Sequence, residues 1–217
     1  MEGEKIMTTS KEAIIGKLKE NRKSRYLVDA EEGENKSFEK PDLTILEPLT
    51  FENPLLKFIE VSKASSGAEI VDVNSLDNIN QLIHKLYPDV KVIGSNLNYI
   101  EAAVNPDSIS DKNDLMHVDV GVVEGCFGVA ENGCVWINQT MKERGICFAS
   151  EYLVIILKKD SIVNNMHEAY AKIAENPEYF DVYKFGTFIS GPSKTADIES
   201  ALVFGAQAAR GVTIILI

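Results

Sequence analysis

Cationic residues are scarce in this chain: 22 Lys and Arg stand against 33 Asp and Glu, a formal net charge of −11. Nucleic-acid binding rests on clustered Lys and Arg that displace counterions, so a nucleic-acid partner is excluded. The one dense basic patch, Lys17, Lys19, Arg22, Lys23 and Arg25, falls on an amphipathic N-terminal segment and reads as a solvated face. Long apolar runs are missing as well. No stretch approaches the roughly 20 apolar residues that span a bilayer. The opening Met1-Glu2-Gly3-Glu4-Lys5 lacks the basic-then-apolar layout of a secretory leader. The expectation is a cytoplasmic protein without membrane contact.

Cysteine and histidine are sparse too. Cys126, Cys134 and Cys147 form no Cys-x-x-Cys pair. Iron–sulfur and structural zinc sites normally need four ligands, several closely spaced, so these read as buried free thiols. His84, His117 and His167 are scattered. Only His117 with Asp119 and Glu124 has metal-like chemistry, and on a strand opened by His117 the alternation sends Glu124 to the opposite face. No metal site is expected, and the residues name no cofactor. Asn138-Gln139-Thr140 matches a glycosylation acceptor by chance. Phe127, Trp136 and Phe148 read as core aromatics.

What is present fits one soluble domain: 217 residues, 45% hydrophobic and 25% charged. Residues 1–40 read as an N-terminal helix after Ser10, with Ile14, Ile15 and Leu18 on its apolar side, and a polar linker. Residues 41–217 read as an α/β domain. Helices are predicted over 54–64, 76–86 and 162–173, with strands at 68–73, 91–93, 152–157, 182–189 and 211–217. Between them, short apolar runs at 117–124, 128–130 and 134–138 are punctuated by Gly121, Gly125 and Gly133 and predict strands joined by tight turns. The fold expected is a three-layer α/β/α domain around a mainly parallel sheet.

Two segments carry the candidate chemistry. Gly191-Pro192-Ser193-Lys194-Thr195-Ala196-Asp197-Ile198-Glu199 reads as a turn feeding a helix over 195–203. Ser193 or Thr195 would cap it, and Asp197 and Glu199 would lie in its first turn. The free N–H groups of such a helix start can receive an anion. Earlier, a strand ending at Glu131 turns through Asn132-Gly133 and resumes at Val135. Spacing alone accounts for this as a plain β-turn with an exposed carboxylate. A functional reading sets Glu131 beside a glycine where a ligand can approach the backbone. Lys194 and Arg210 are the cations placed to meet an anion, or else ordinary surface charge.

Together these segments resemble the LUD-domain family of C-type lactate utilisation proteins, over roughly 54–217. That family carries Ile-Ala-Glu-Thr-Gly-Thr and later Gly-Pro-Ser-Arg-Thr-Ala-Asp-Ile-Glu, the second matched here at every position but Lys194. In the first, Glu131 and Gly133 are kept, with Asn132 and Cys134 where Thr is usual. A later Gly-x-His-Gly-Pro-Arg is represented by Gly205 to Arg210. There Gln207 stands for the His and cannot exchange a proton as His does.

The resemblance implies a fold similar to sugar-phosphate isomerases and coenzyme A transferases. It also implies a clusterless role beside iron–sulfur partner proteins in oxidising L-lactate. The expected site is a small anionic ligand held by Asn132, Gly133, Ser193, Lys194, Thr195, Asp197, Gln207 and Arg210, with Glu131 orienting or deprotonating it. Two alternatives stay open. One is a non-catalytic interaction subunit. The other is acyl or coenzyme A transfer with Glu131 as nucleophile, because Ala130-Glu131-Asn132-Gly133 is similar to the Ser-Glu-Asn-Gly of class I coenzyme A transferases.

Overall fold

A computed structural model describes residues 11, 14–18, 47–180, 183–198 and 201–217. The chain divides into two units, Met1–Leu46 and Glu47–Ile217. In the first, residue 11 and residues 14–18 are helical, with Ile14, Ile15 and Leu18 exposed. The remainder of the expected N-terminal helix and its linker lies outside the described residues.

The second unit opens with α1 (Pro54–Val61), which starts where proline is tolerated and where the Asn53 side chain accepts the Leu56 N–H at 3.1 Å. A π-helical turn, Ser62–Ser66, continues it and ends at Gly67. There follow β1 (Glu69–Asp72), α2 (Ile79–Leu86), β2 (Ile93–Gly94), β3 (Val120–Glu124), β4 (Phe127–Val129) and β5 (Cys134–Asn138). The chain goes on through α3 (Ile146–Ala149), β6 (Tyr152–Leu157), β7 (Ile162–Val163), α4 (Met166–Glu175) and β8 (Gly186–Ile189). It closes with β9 (Lys194–Ile198), β10 (Ala201–Phe204) and β11 (Gly211–Leu216).

The central sheet has the order β1-β11-β6-β3-β2, with every pairing parallel. Its middle strands are continuous apolar runs because both faces are covered. Alternation along β6 shows this directly. Leu153, Ile155 and Leu157 enter one core with Phe58 and Ile146, while Val154 and Ile156 enter another with Ile79 and Ile83 of α2. The expected α/β architecture with its mainly parallel sheet is therefore present. A second, four-stranded sheet, β7-β4-β5-β8, adds to it. Val135 and Ile137 join the first core, whereas Phe127, Val129 and Trp136 on its other face pack with Ala169 of α4.

Several local expectations are corrected. The helix expected over 195–203 is a β-hairpin, β9 pairing antiparallel with β10. Its Thr, Ile, Val and Phe residues suit a strand, and pairing between the two strands outweighs the helix-start chemistry. The helix expected at Ile162 begins only at Met166. The Asn165 side chain accepts the Glu168 N–H at 3.0 Å, and the Glu168 carboxylate accepts the Asn164 N–H at 2.7 Å, which fixes the start and leaves Ile162 and Val163 to pair with β4. His117 closes a 3-10 turn, Lys112–His117, rather than opening β3, so the strand alternation assumed for His117, Asp119 and Glu124 does not apply. β8 begins at Gly186, later than expected: residues 183–185 are not strand, and residue 182 lies outside the described residues.

Candidate functional site

Both singled-out segments converge, but on each other rather than on an open anion hole. The loop Ala130–Gly133 joins β4 to β5, and Gly133 turns it at φ 66°. A Cβ there would come within 2.8 Å of the Ser62 backbone nitrogen. The Asn132 carbonyl accepts from the Ser66 and Ser190 hydroxyls, each at 3.1 Å, while those hydroxyls lie 2.8 Å from one another. Gly191, at φ 68°, passes so close that a Cβ would collide with the Ser66 carbonyl. Lys194 then reaches back: its ammonium donates to the Ser65 and Ser66 carbonyls at 3.1 and 2.5 Å, at the end of the π-helical turn where carbonyls lack helical partners. Three distant stretches are thereby clasped together.

The clasp uses the donors that were expected to hold an anion. The Ser193 N–H donates to the Ala209 carbonyl at 2.9 Å, just before β11, and the Ser193 carbonyl accepts the Gly205 N–H at 3.0 Å. With β9 in place of a helix, the row of free N–H groups at a helix start is absent. Thr195 pairs with Val203 in the ladder, and Asp197 lies in the same strand. Gln207 is exposed in the turn before β11, and Glu199 lies outside the described residues. The motif also sits at the amino end of β11, not beyond the carboxyl end of a central strand.

Glu131 is exposed and is given to α4: its carboxylate accepts the Met166 N–H at 3.0 Å, in the first turn, where negative charge is favoured. A nucleophile would have to give up that bond. Arg210 lies apart from the clasp. Its guanidinium pairs with Glu151 at 2.8 Å, donates to the Tyr152 hydroxyl at 2.6 and 3.1 Å, and lies 5.1 Å from the Tyr152 ring centroid. Cys134 and Cys147 are buried, which pushes each thiol up to about 12. Among the described residues no cluster of three or more His, Cys, Asp and Glu could hold a metal ion.

A cleft of about 320 Å³ opens where ligands of open parallel sheets usually sit, beyond the carboxyl ends of β3, β6 and β11. Glu124, Cys126, Asn138, Lys158 and Tyr179 line it. Glu124 ends β3 and accepts the Tyr99 hydroxyl; burial and then this carboxylate push the Tyr99 phenol above its ordinary value. The Cys126 thiol donates to Asn138 Oδ1 at 2.9 Å, and burial raises it. Lys159 is committed, to Asp72 at 2.6 Å and to the Val73 carbonyl at 3.1 Å. The ammonium of its neighbour Lys158 makes no hydrogen bond or ion pair among the described residues, and the residue is exposed in the cleft. Sequence reading missed this site, although a signal existed: Glu124-Gly125 and Lys158 each follow an apolar strand directly and so mark strand ends.

Comparison with known proteins supplies the context. The LUD domain family matches residues 95–217, a span that holds every cleft residue named above and two of the three clasped stretches. Lactate utilization protein C of Shouchella clausii (strain KSM-K16) is 31% identical over 102 residues, 46% of this chain and 44% of that protein. The chain thus aligns with less than half the length of that relative. The crystal structure of a DUF162 family protein from Deinococcus radiodurans superposes with a TM-score of 0.58 at 14% identity. The match covers 78% of this chain and 99% of that one, a likeness of fold.

Proposed function

Because the chain belongs to the LUD domain family, we propose that it serves lactate utilisation as a clusterless component that binds a small carboxylate anion in the carboxyl-end cleft. The observation that carries this reading is Lys158, whose ammonium has no partner among the described residues, on the wall of a cleft of about 320 Å³. That volume is at the lower end of small-molecule sites. Lys158 would pair with the carboxylate, and the Tyr99–Glu124 pair would meet the polar group next to it. The similarity to a lactate utilization protein C supports the substrate class. Iron–sulfur partner proteins are part of the same proposal, as the source of electron transfer that a chain with three scattered cysteines does not supply.

Calorimetric titration with L-lactate and with pyruvate tests the reading. At least one should bind, and Lys158→Gln should weaken it about tenfold, the loss of one partly exposed charge pair. Lys194→Gln should leave the affinity unchanged. Absence of binding by both acids, or equal loss in the two variants, would remove the cleft from the proposal.

A further inference from the structure

The opposite end of the central sheet carries a second, larger recess that the proposed ligand does not use. Two adjoining cavities of about 410 Å³ each share Asp119 and Glu151 in their walls. Together they cross the amino ends of all five strands: Glu69 opens β1, Arg210 precedes β11, Glu151 precedes β6, Asp119 precedes β3 and Lys91 precedes β2. Four strand-to-strand steps of about 4.8 Å make a groove about 19 Å long. That is the reach of about six residues of extended chain at about 3.3 Å each, and longer than a single small ligand requires.

Its chemistry favours a cation. Glu69, Asp89, Asp119 and Glu151 share its walls with two permanent cations, Arg210 and Lys91, and with His117. Asp119 is held by the Lys91 and Val92 N–H groups at 2.8 Å, and Glu151 by Arg210, which leaves the Glu69 and Asp89 carboxylates without hydrogen-bond or ion-pair partners among the described residues. Tyr87 and Tyr152 lie between them with ring centroids 4.9 Å apart. One guanidinium already lies over Tyr152, that of Arg210, so aromatic face and carboxylate together form the kind of seat that arginine side chains occupy.

We propose that this groove docks an extended, arginine-bearing segment of a partner protein, its side chains directed to Glu69 and Asp89 and to the tyrosine pair. Charge complementarity and groove length together select this occupant over a small amine. The docking is independent of the carboxylate-binding cleft, which lies at the other end of the strands.

Fluorescence anisotropy with a labelled, end-capped hexa-arginine peptide and the full chain at about 0.15 M salt provides the test. The expected result is binding that Glu69→Gln/Asp89→Asn weakens at least fivefold, while the charge-matched control Asp77→Asn/Glu175→Gln changes it less than twofold. The exchanged side chains are exposed and nearly isosteric, and circular dichroism verifies the fold. Should the double variant misfold, the single variants Glu69→Gln and Asp89→Asn carry the comparison. No binding, a loss below fivefold in the groove variant, or equal loss in the control overturns the proposal. Spermine that binds as tightly as the peptide, with the same sensitivity, identifies a polyamine site and overturns the docking of an extended segment.

Discussion

Lys194 donates to the carbonyl of Ser66 at 2.5 Å, across 128 residues of sequence. One ammonium thus ties the strand after the Gly191 turn to the last turn of the helix that opens the unit. The same residue that looked like a ligand's counter-ion closes the protein on itself.

Removing it should therefore cost stability rather than binding. Charge-assisted hydrogen bonds contribute roughly 1.5–3 kcal/mol when sheltered, and Lys194 is exposed, so Lys194→Met should lose about 1 kcal/mol. Thermal melting would read a fall of about 3 °C for a unit of this size. Lys194→Arg should recover part of it. An unchanged melting temperature in the Met variant would free the ammonium for a ligand after all.

Glu131 should behave as an acceptor for α4. Glu131→Ala is expected to lower stability by roughly 0.5–1 kcal/mol through the lost first-turn bond. Affinity for L-lactate or pyruvate should stay within twofold. Hydroxylamine treatment after exposure to an acyl-coenzyme A should leave Glu131 unmodified by mass spectrometry; a hydroxamate at that position would revive the transfer reading.

Asp119 makes the fold sensitive to acid. Two backbone N–H groups hold its carboxyl below the ordinary 3.8. A depressed carboxylate contributes stability that is complete above the unfolded value and disappears as pH falls through the lower, folded one. The stability gap between the native protein and Asp119→Asn should therefore be constant above about pH 5 and shrink steadily below about pH 4. Urea midpoints at pH 7, 5, 4 and 3 measure it, and a gap that widens on acidification would contradict the assignment.

Thiol labelling reports on the cleft. Cys126 is half-buried and borders it, while Cys134 and Cys147 are buried. One thiol per native chain should react with a disulfide reagent, slowly at neutral pH because burial raises the thiol and faster as pH rises. Cys126→Ser should abolish the reaction, and a bound carboxylate should slow it. Reaction of a second thiol at the same rate would place another cysteine in the open.

Much of the fold was legible where the pattern is local. Tyr152–Leu157 is an unbroken apolar run and Gly211–Leu216 is broken only by Thr213, and runs of that kind are stable only with both faces covered. Asn132-Gly133 announced its turn. The reading failed where distant partners decide: Ser193 and Thr195 have the side chains of a helix start, yet Ala209 and Val203 claim their backbones. Glu131 looked like a free carboxylate because its partner, the Met166 N–H, lies 35 residues on. The cleft escaped notice because its polar residues come one at a time, from the ends of strands that only the sheet order brings together.

That order has a cost during folding. β11 lies between β1 and β6, so both neighbours are made well before the strand that joins them. Until it arrives each presents an unpaired edge of backbone donors and acceptors, apolar on both faces in the case of β6. Such edges recruit other chains. Nascent or truncated forms of this protein should depend on chaperones far more than the finished fold does.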